Sequence, residues 1–133
     1  MLNIRILTIP HSEQAYDTVG NYWVDKDGVM QFRVSDLGNP WKELGVIIHE
    51  LIESYLLLLR GVPWDSIDKF DIAYENARAS GKAPCGCKPF EEPGDDPHAP
   101  YRKEHRFSEN IERQFIHEAG VDWKEYSDQV EAL

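Results

Sequence analysis

An apolar segment near the middle of the chain carries three ionisable residues. The segment GVIIHELIESYLLLL runs from residue 45 to residue 59 and contains His49, Glu50 and Glu53. Leu or Ala could fill a buried helix at these positions, so unpaired ionisable side chains there would lower the stability of the fold. We therefore expect these side chains to have partners, and a metal ion and a buried polar network are the two candidates.

His49 and Glu53 lie one turn apart on the same face of the predicted helix. A projection at about 100° per residue puts them on a narrow stripe with Lys42 and Arg60, while apolar residues cover nearly all the rest. An imidazole and a carboxylate four residues apart can bind one divalent ion, which offsets the desolvation of both. Glu50 lies beside this stripe, in a position from which a carboxylate can activate a metal-bound water.

A third ligand is predicted in the segment YRKEHRFSENIERQF, where His105, Glu109 and Glu112 share one helix face. We predict His105 as this ligand, because two imidazoles and one carboxylate form a common catalytic zinc shell. Glu109 or Glu112 would then orient an imidazole through its second ring nitrogen. Asp71, in DKFDIAYE, is the alternative third ligand. Zinc is the expected ion, with manganese, iron or magnesium as alternatives.

The segment HELIE resembles the metal-binding helix of the zincin metallopeptidases, whose motif is His-Glu-x-x-His. Glu53 stands where that motif has its second histidine. A strand and a hairpin precede the metal helix in that family, and the chain has the same order over roughly residues 20 to 60. The resemblance implies a minimal zincin-like fold with His49 and Glu53 as ligands and Glu50 as the general base. It also implies a small metal-dependent hydrolase acting on a peptide or amide bond.

The elements that must position these residues can be predicted from local patterns. NIRILTI and the two runs of NYWVDKDGVMQFRVS, which flank the turn residues Asp25 to Gly28, predict three strands. Asn39 and Pro40 supply a helix cap, and Gly61 ends the helix. The predicted elements are strands and a hairpin over 1–38, the metal helix over 40–60, a second helix over 64–79, a long loop over 80–100 and C-terminal helices over 101–132.

These elements predict one α+β domain spanning residues 1–133. In this domain a small antiparallel sheet of about three strands packs on three to four helices. The net charge of −10 argues against nucleic acid and against an anionic membrane surface as partners. The N-terminal MLNIRILTIPHS is neither a signal peptide nor a membrane span, which predicts a cytoplasmic protein. A small-molecule or peptide substrate is expected, and a protein partner is an additional option.

The chain has two cysteines, Cys85 and Cys87, in the segment PCGCKP. They are too close in sequence for an ordinary structural disulfide and too few for a zinc-finger site. We expect two free thiols on a loop, with a redox or metal role as the alternative.

Two other functions are compatible with the sequence. ELIE together with DKFD resembles the paired carboxylates with which the all-α NTP pyrophosphatases hold magnesium on a phosphate chain. The resemblance implies that the magnesium ligands of this chain would be Glu50, Glu53, Asp68 and Asp71. Alternatively, the chain is a non-catalytic acidic interaction module, and HELIE is part of a buried polar network.

Overall fold

The computed structural model describes residues 1–82 and 92–133. Within these ranges the chain has three strands and four helices, which confirms the predicted α+β class. Cys85 and Cys87 lie outside the described residues, so the free thiols stay a prediction. The elements are β1 (Ile4–Ile9), β2 (Gly20–Val24), β3 (Met30–Ser35), α1 (Pro40–Arg60), α2 (Trp64–Ala79), α3 (Arg102–Glu118) and α4 (Trp123–Glu131).

The sheet has the strand order β1-β3-β2, and it is mixed rather than antiparallel as predicted. β2 and β3 form the expected hairpin, but β1 pairs with β3 in parallel. β1 ends and β2 starts at the same end of the sheet, opposite Ser35 and Val34. The connection over residues 10–19 is long enough to cross from one side of β3 to the other at that end. β3 is the most buried strand and therefore takes the centre of the sheet.

Helix α1 has the predicted bounds because its caps are encoded locally. The side chain of Asn39 accepts hydrogen bonds from the backbone N–H groups of Trp41 and Lys42, which satisfies free donors of the first turn. Gly61 ends the helix in the left-handed conformation with φ 70°. A C-cap of this kind rarely accommodates a residue with a side chain.

The polar stripe of α1 faces the interior, and part of its apolar surface faces solvent. Lys42, His49 and Glu53 are buried, whereas Leu58 and Leu59 are 58% and 79% exposed. Apolar residues do surround the stripe, but in the last turn of α1 some of them face solvent and do not bury it. The stripe is shielded from solvent by other elements, chiefly α3, which packs along α1.

Two apolar clusters flank the ionisable residues along this helix pair. One cluster contains Leu57 of α1 and Tyr101 beside α3, and the other contains Val46 of α1 and Ile116 of α3. His49, Glu53, His105 and Glu112 lie between these positions on both helices. The chain thus buries a charged layer between two apolar layers, and this layer needs internal partners. Among the described residues, no helix combines the length and the apolar character required to cross a bilayer.

Candidate metal centre

Three side-chain atoms with lone pairs converge at the interface of α1 and α3. His49 Nε2 lies 3.2 Å from Glu53 Oε2 and 3.1 Å from His105 Nδ1, and His105 Nδ1 lies 3.2 Å from Glu53 Oε2. The triangle is nearly equilateral. A tetrahedral zinc ion with bonds of about 2.0–2.1 Å separates its ligand atoms by roughly 3.3–3.4 Å. The three atoms therefore have nearly the spacing of one face of a zinc coordination tetrahedron.

Local structure fixes each of the three side chains. His49 and Glu53 are one turn apart on α1, and both are at least nine-tenths buried. His105 lies in the first turn of α3, and the short 3₁₀ helix Pro93–Asp95 covers its ring. A Cβ atom on Gly94 would lie 2.4 Å from Cγ of His105, so only glycine allows this close packing.

The second nitrogen of each imidazole faces a carboxylate. His49 Nδ1 lies 2.7 Å from Glu112 Oε2, and the hydroxyl of Tyr126 donates to the other oxygen of Glu112. His105 Nε2 lies 2.9 Å from Glu92 Oε2, close enough for an ion pair although the angle is not that of a hydrogen bond. In neutral rings the protons would lie on these outer nitrogens, which leaves the inner nitrogens as acceptors. Metal-binding histidines are typically held in this way.

Electrostatics at the triangle favours a positive charge. Burial opposes the charged forms of His49, His105 and Glu53, but the contacts between imidazoles and carboxylates outweigh it. The pKa of His105 rises to about 10, the pKa of Glu53 falls to about 2, and the pKa of His49 is also raised. The surroundings therefore stabilise a cation at this point, whether it is a proton or a metal ion.

Glu50 lies next to the triangle without belonging to it. It makes no hydrogen bond or ion pair with the part of the chain that the structure describes, and burial, followed by the charge of Glu53, raises its pKa to about 8. A Cβ atom on Gly20 would lie 2.5 Å from Glu50 Oε1, so the missing side chain of Gly20 makes room for this carboxylate. A carboxylate with such a pKa can accept a proton at neutral pH and release it again.

The triangle and Glu50 open into a cavity of about 400 Å³. This volume suits a small molecule or a short segment of peptide. The ionisable lining residues include His49, Glu50, Glu53, Asp68, Asp71 and His105.

The structure distinguishes between the two predicted third ligands by position. His105 completes a group of three ligand atoms with His49 and Glu53. Asp71 instead accepts a hydrogen bond from the hydroxyl of Tyr101, and within the described ranges it joins no such group. Asp68 also lies outside every such group there, so the four carboxylates of the magnesium hypothesis do not converge.

One of the two outer contacts agrees with the sequence-based prediction, and the other has no signal in the sequence. The predicted contact of Glu112 with an imidazole is present, whereas Glu109 makes none in the described part of the chain. Glu92 was missed, because it lies in the acidic run EEPGDD and nothing local indicates that this run reaches His105. Glu92, Asp95 and the outer nitrogen of His105 form a second potential ligand group at the edge of the cluster.

No protein-family model, curated protein or solved structure matches this chain. The resemblance to zincins therefore stays an interpretation of the HELIE residues.

Proposed function

We propose that this protein is a small zincin-like hydrolase that binds one divalent metal ion through His49, Glu53 and His105. Zinc is the ion that best suits two imidazoles and one carboxylate. The observation that carries the proposal is the nearly equilateral triangle of acceptor atoms with edges of 3.1–3.2 Å. Glu112 orients the ring of His49 through a hydrogen bond, and Glu92 lies within ion-pair distance of His105. Such an arrangement of buried acceptors is disfavoured unless a cation compensates it.

The residues around the triangle have complementary roles. A bound divalent ion would supply Lewis acidity, which polarises a carbonyl group and acidifies water. Glu50 is the proposed general base, because its carboxylate lines the same cavity and its raised pKa suits proton transfer at neutral pH. The cavity would hold a small-molecule or peptide substrate with its scissile amide bond near the triangle. A cytoplasmic location remains a prediction.

Metal analysis combined with X-ray absorption tests the binding site. Protein purified without a tag or a chelator should contain one zinc ion per chain, with nitrogen and oxygen ligands at about 2.0 Å. His105→Ala should lose this zinc, and His117→Ala, on the exposed face of the same helix, should retain it. Sulfur scattering at about 2.3 Å, abolished by Cys85→Ser, would instead assign the ion to the cysteines. Metal-free protein that takes up no added zinc would favour the non-catalytic module.

Glu50→Gln separates the proposed base from the proposed ligands. The amide keeps the shape of the side chain but cannot accept the proton, so zinc content should not change. Turnover of an amide substrate found by screening should fall by about 10²- to 10⁴-fold, the usual contribution of general base catalysis. Loss of zinc from a folded Glu50→Gln variant would make Glu50 a ligand, and the paired-carboxylate magnesium hypothesis would then gain support.

A further inference from the structure

Helix α2 presents three carboxylates to the cavity that contains the triangle, and one of them, Glu75, forms an ion pair with Arg78. Asp68 and Asp71 are three residues apart on α2, and we call this pair the acidic wall. Each accepts one hydrogen bond from a tyrosine hydroxyl, Asp68 from Tyr16 at 3.2 Å and Asp71 from Tyr101. A neutral hydroxyl orients a carboxylate but leaves its charge uncompensated.

Four other carboxylates of the cavity have partners that can carry a positive charge. Glu53, Glu92 and Glu112 contact imidazoles, and Glu75 forms an ion pair with Arg78 at 3.1 Å. Arg78 is also the single lysine or arginine among the described residues that line the cavity. By contrast, no ion pair involves Asp68, Asp71 or Glu50 within residues 1–82 and 92–133.

The charge balance of the cavity therefore stays negative after a metal ion binds. A divalent ion offsets two negative charges. The carboxylates nearest to it are Glu53 and the two that contact the imidazoles, Glu92 and Glu112. Asp71 is partly buried, and burial raises its pKa to about 7, with further contributions from the charges of Glu53 and Asp68. A buried carboxylate of this kind gains most from a cationic partner.

We propose that the substrate carries an ammonium or guanidinium group that binds to the acidic wall while its amide carbonyl lies at the triangle. This inference rests on the proposed function, and it assigns Asp68 and Asp71 to substrate specificity. The cation compensates the charge of the wall, which has no basic partner among the described residues, and makes charge-assisted hydrogen bonds to carboxylate oxygens. A substrate with a negative group at the same place would be repelled.

A pair of hydroxamates that differ by one ammonium group tests the inference. Hydroxamates chelate zinc, so 6-aminohexanohydroxamic acid and hexanohydroxamic acid share the metal-binding end and differ at the far end. Calorimetric titration of zinc-loaded protein should give about tenfold tighter binding of the amine, the size of one charge-assisted hydrogen bond. Shorter amine and alkyl pairs, tested in the same way, cover the length of the cavity. The preference should weaken with added salt.

Substitutions in α2 test whether the acidic wall causes the preference for the amine. Asp68→Asn and Asp71→Asn can still accept the tyrosine hydrogen bonds, and each should reduce the preference for the amine. Asp65→Asn removes an exposed carboxylate of the same helix and should leave the preference unchanged.

The possible outcomes separate this inference from the proposed function. Equal binding of amine and alkyl hydroxamates at every length overturns the inference and leaves the metal centre intact. Failure of all hydroxamates to bind zinc-loaded protein overturns the proposed function together with the inference. An amine preference that survives both Asn substitutions overturns the assignment to the acidic wall. If an Asn variant does not fold, the wild-type comparison still tests whether a cation is preferred.

Discussion

Carboxylates on two sides of one cavity have pKa values shifted in opposite directions. At the α1–α3 interface, Glu53 and Glu112 contact imidazoles, and the pKa of Glu53 falls to about 2. On the acidic wall, Asp71 contacts a tyrosine, and its pKa rises to about 7. Burial raises the pKa of both carboxylates, and the imidazole contacts outweigh it at Glu53, whereas the tyrosine contact does not outweigh it at Asp71. We therefore expect the carboxylates paired with imidazoles to stabilise the folded chain and those of the wall to lower its stability.

This difference indicates two separate roles for the carboxylates around the cavity. Carboxylates that meet imidazoles form part of the structural interior and hold the proposed metal ligands in place. Carboxylates that lack a cationic partner in the described residues are better explained by a ligand, since a buried and uncompensated charge lowers stability. Three variants test whether the contrast between the α1–α3 interface and the acidic wall is real.

Glu53→Ala should have the largest effect. The substitution removes the contacts of this carboxylate with both imidazoles and with the hydroxyl of Tyr22. Loss of one partner from a buried charged network costs about 3–5 kcal/mol of unfolding free energy. Urea denaturation of metal-free protein measures this loss, and Glu118→Ala, at an exposed position of α3, should stay within about 0.5 kcal/mol of wild type. A loss below about 1 kcal/mol would mean that the interface carboxylates do not stabilise the fold.

Glu112→Gln should have an intermediate effect, on metal affinity. The amide no longer offers His49 Nδ1 a charged acceptor, so the inner nitrogen becomes a weaker ligand. Outer partners of this kind typically contribute 10- to 100-fold to affinity, or about 1.4–2.7 kcal/mol. Competition with a zinc chelator measures the change. Glu109→Gln is the matched control on the same helix, and an equal loss in both variants would contradict a specific role for Glu112.

Local signals explain which parts of this fold could be predicted. Asn39 and Gly61 act on their own helix, so the bounds of α1 follow from residues that are adjacent in sequence. The pairing of β1 depends on the path of residues 10–19, and no strand pattern encodes it. The prediction of an antiparallel sheet is therefore wrong for β1.

The candidate site likewise has a part that local sequence predicts and a part that depends on tertiary packing. His49 and Glu53 could be paired from their spacing, because a helix fixes that geometry. His105 is predicted as the third ligand because zinc commonly binds two imidazoles and one carboxylate. Its distance from His49 and Glu53, however, depends on how α3 packs against α1. The contacts of Glu92 and Tyr126 with this group arise only in the tertiary structure, and no sequence spacing indicates them.

Asp71→Asn should have the smallest effect, and it should raise the stability of the fold rather than lower it. The folded pKa of Asp71, about 7, exceeds the value of about 3.9 expected in the unfolded chain. The folded state therefore binds more protons between about pH 4 and pH 7, and wild-type stability falls as the pH rises through this window. The amide has no such penalty, so the variant should be more stable at pH 8 and nearly equal to wild type at pH 4.

The expected gain at pH 8 is about 1 kcal/mol, because solvent screens a partly exposed carboxylate and reduces the full linkage value. Thermal melts at pH 4 and pH 8, with the same metal content, would show this gain as a rise of a few degrees at pH 8 alone. Asp65→Asn, at an exposed position of α2, controls for the loss of one negative charge. If Asp71→Asn lowers stability at pH 8, this carboxylate has a stabilising partner, and the contrast with the α1–α3 interface fails. If the variant is more stable but no longer prefers the amine, the charge of Asp71 serves ligand binding at the expense of stability.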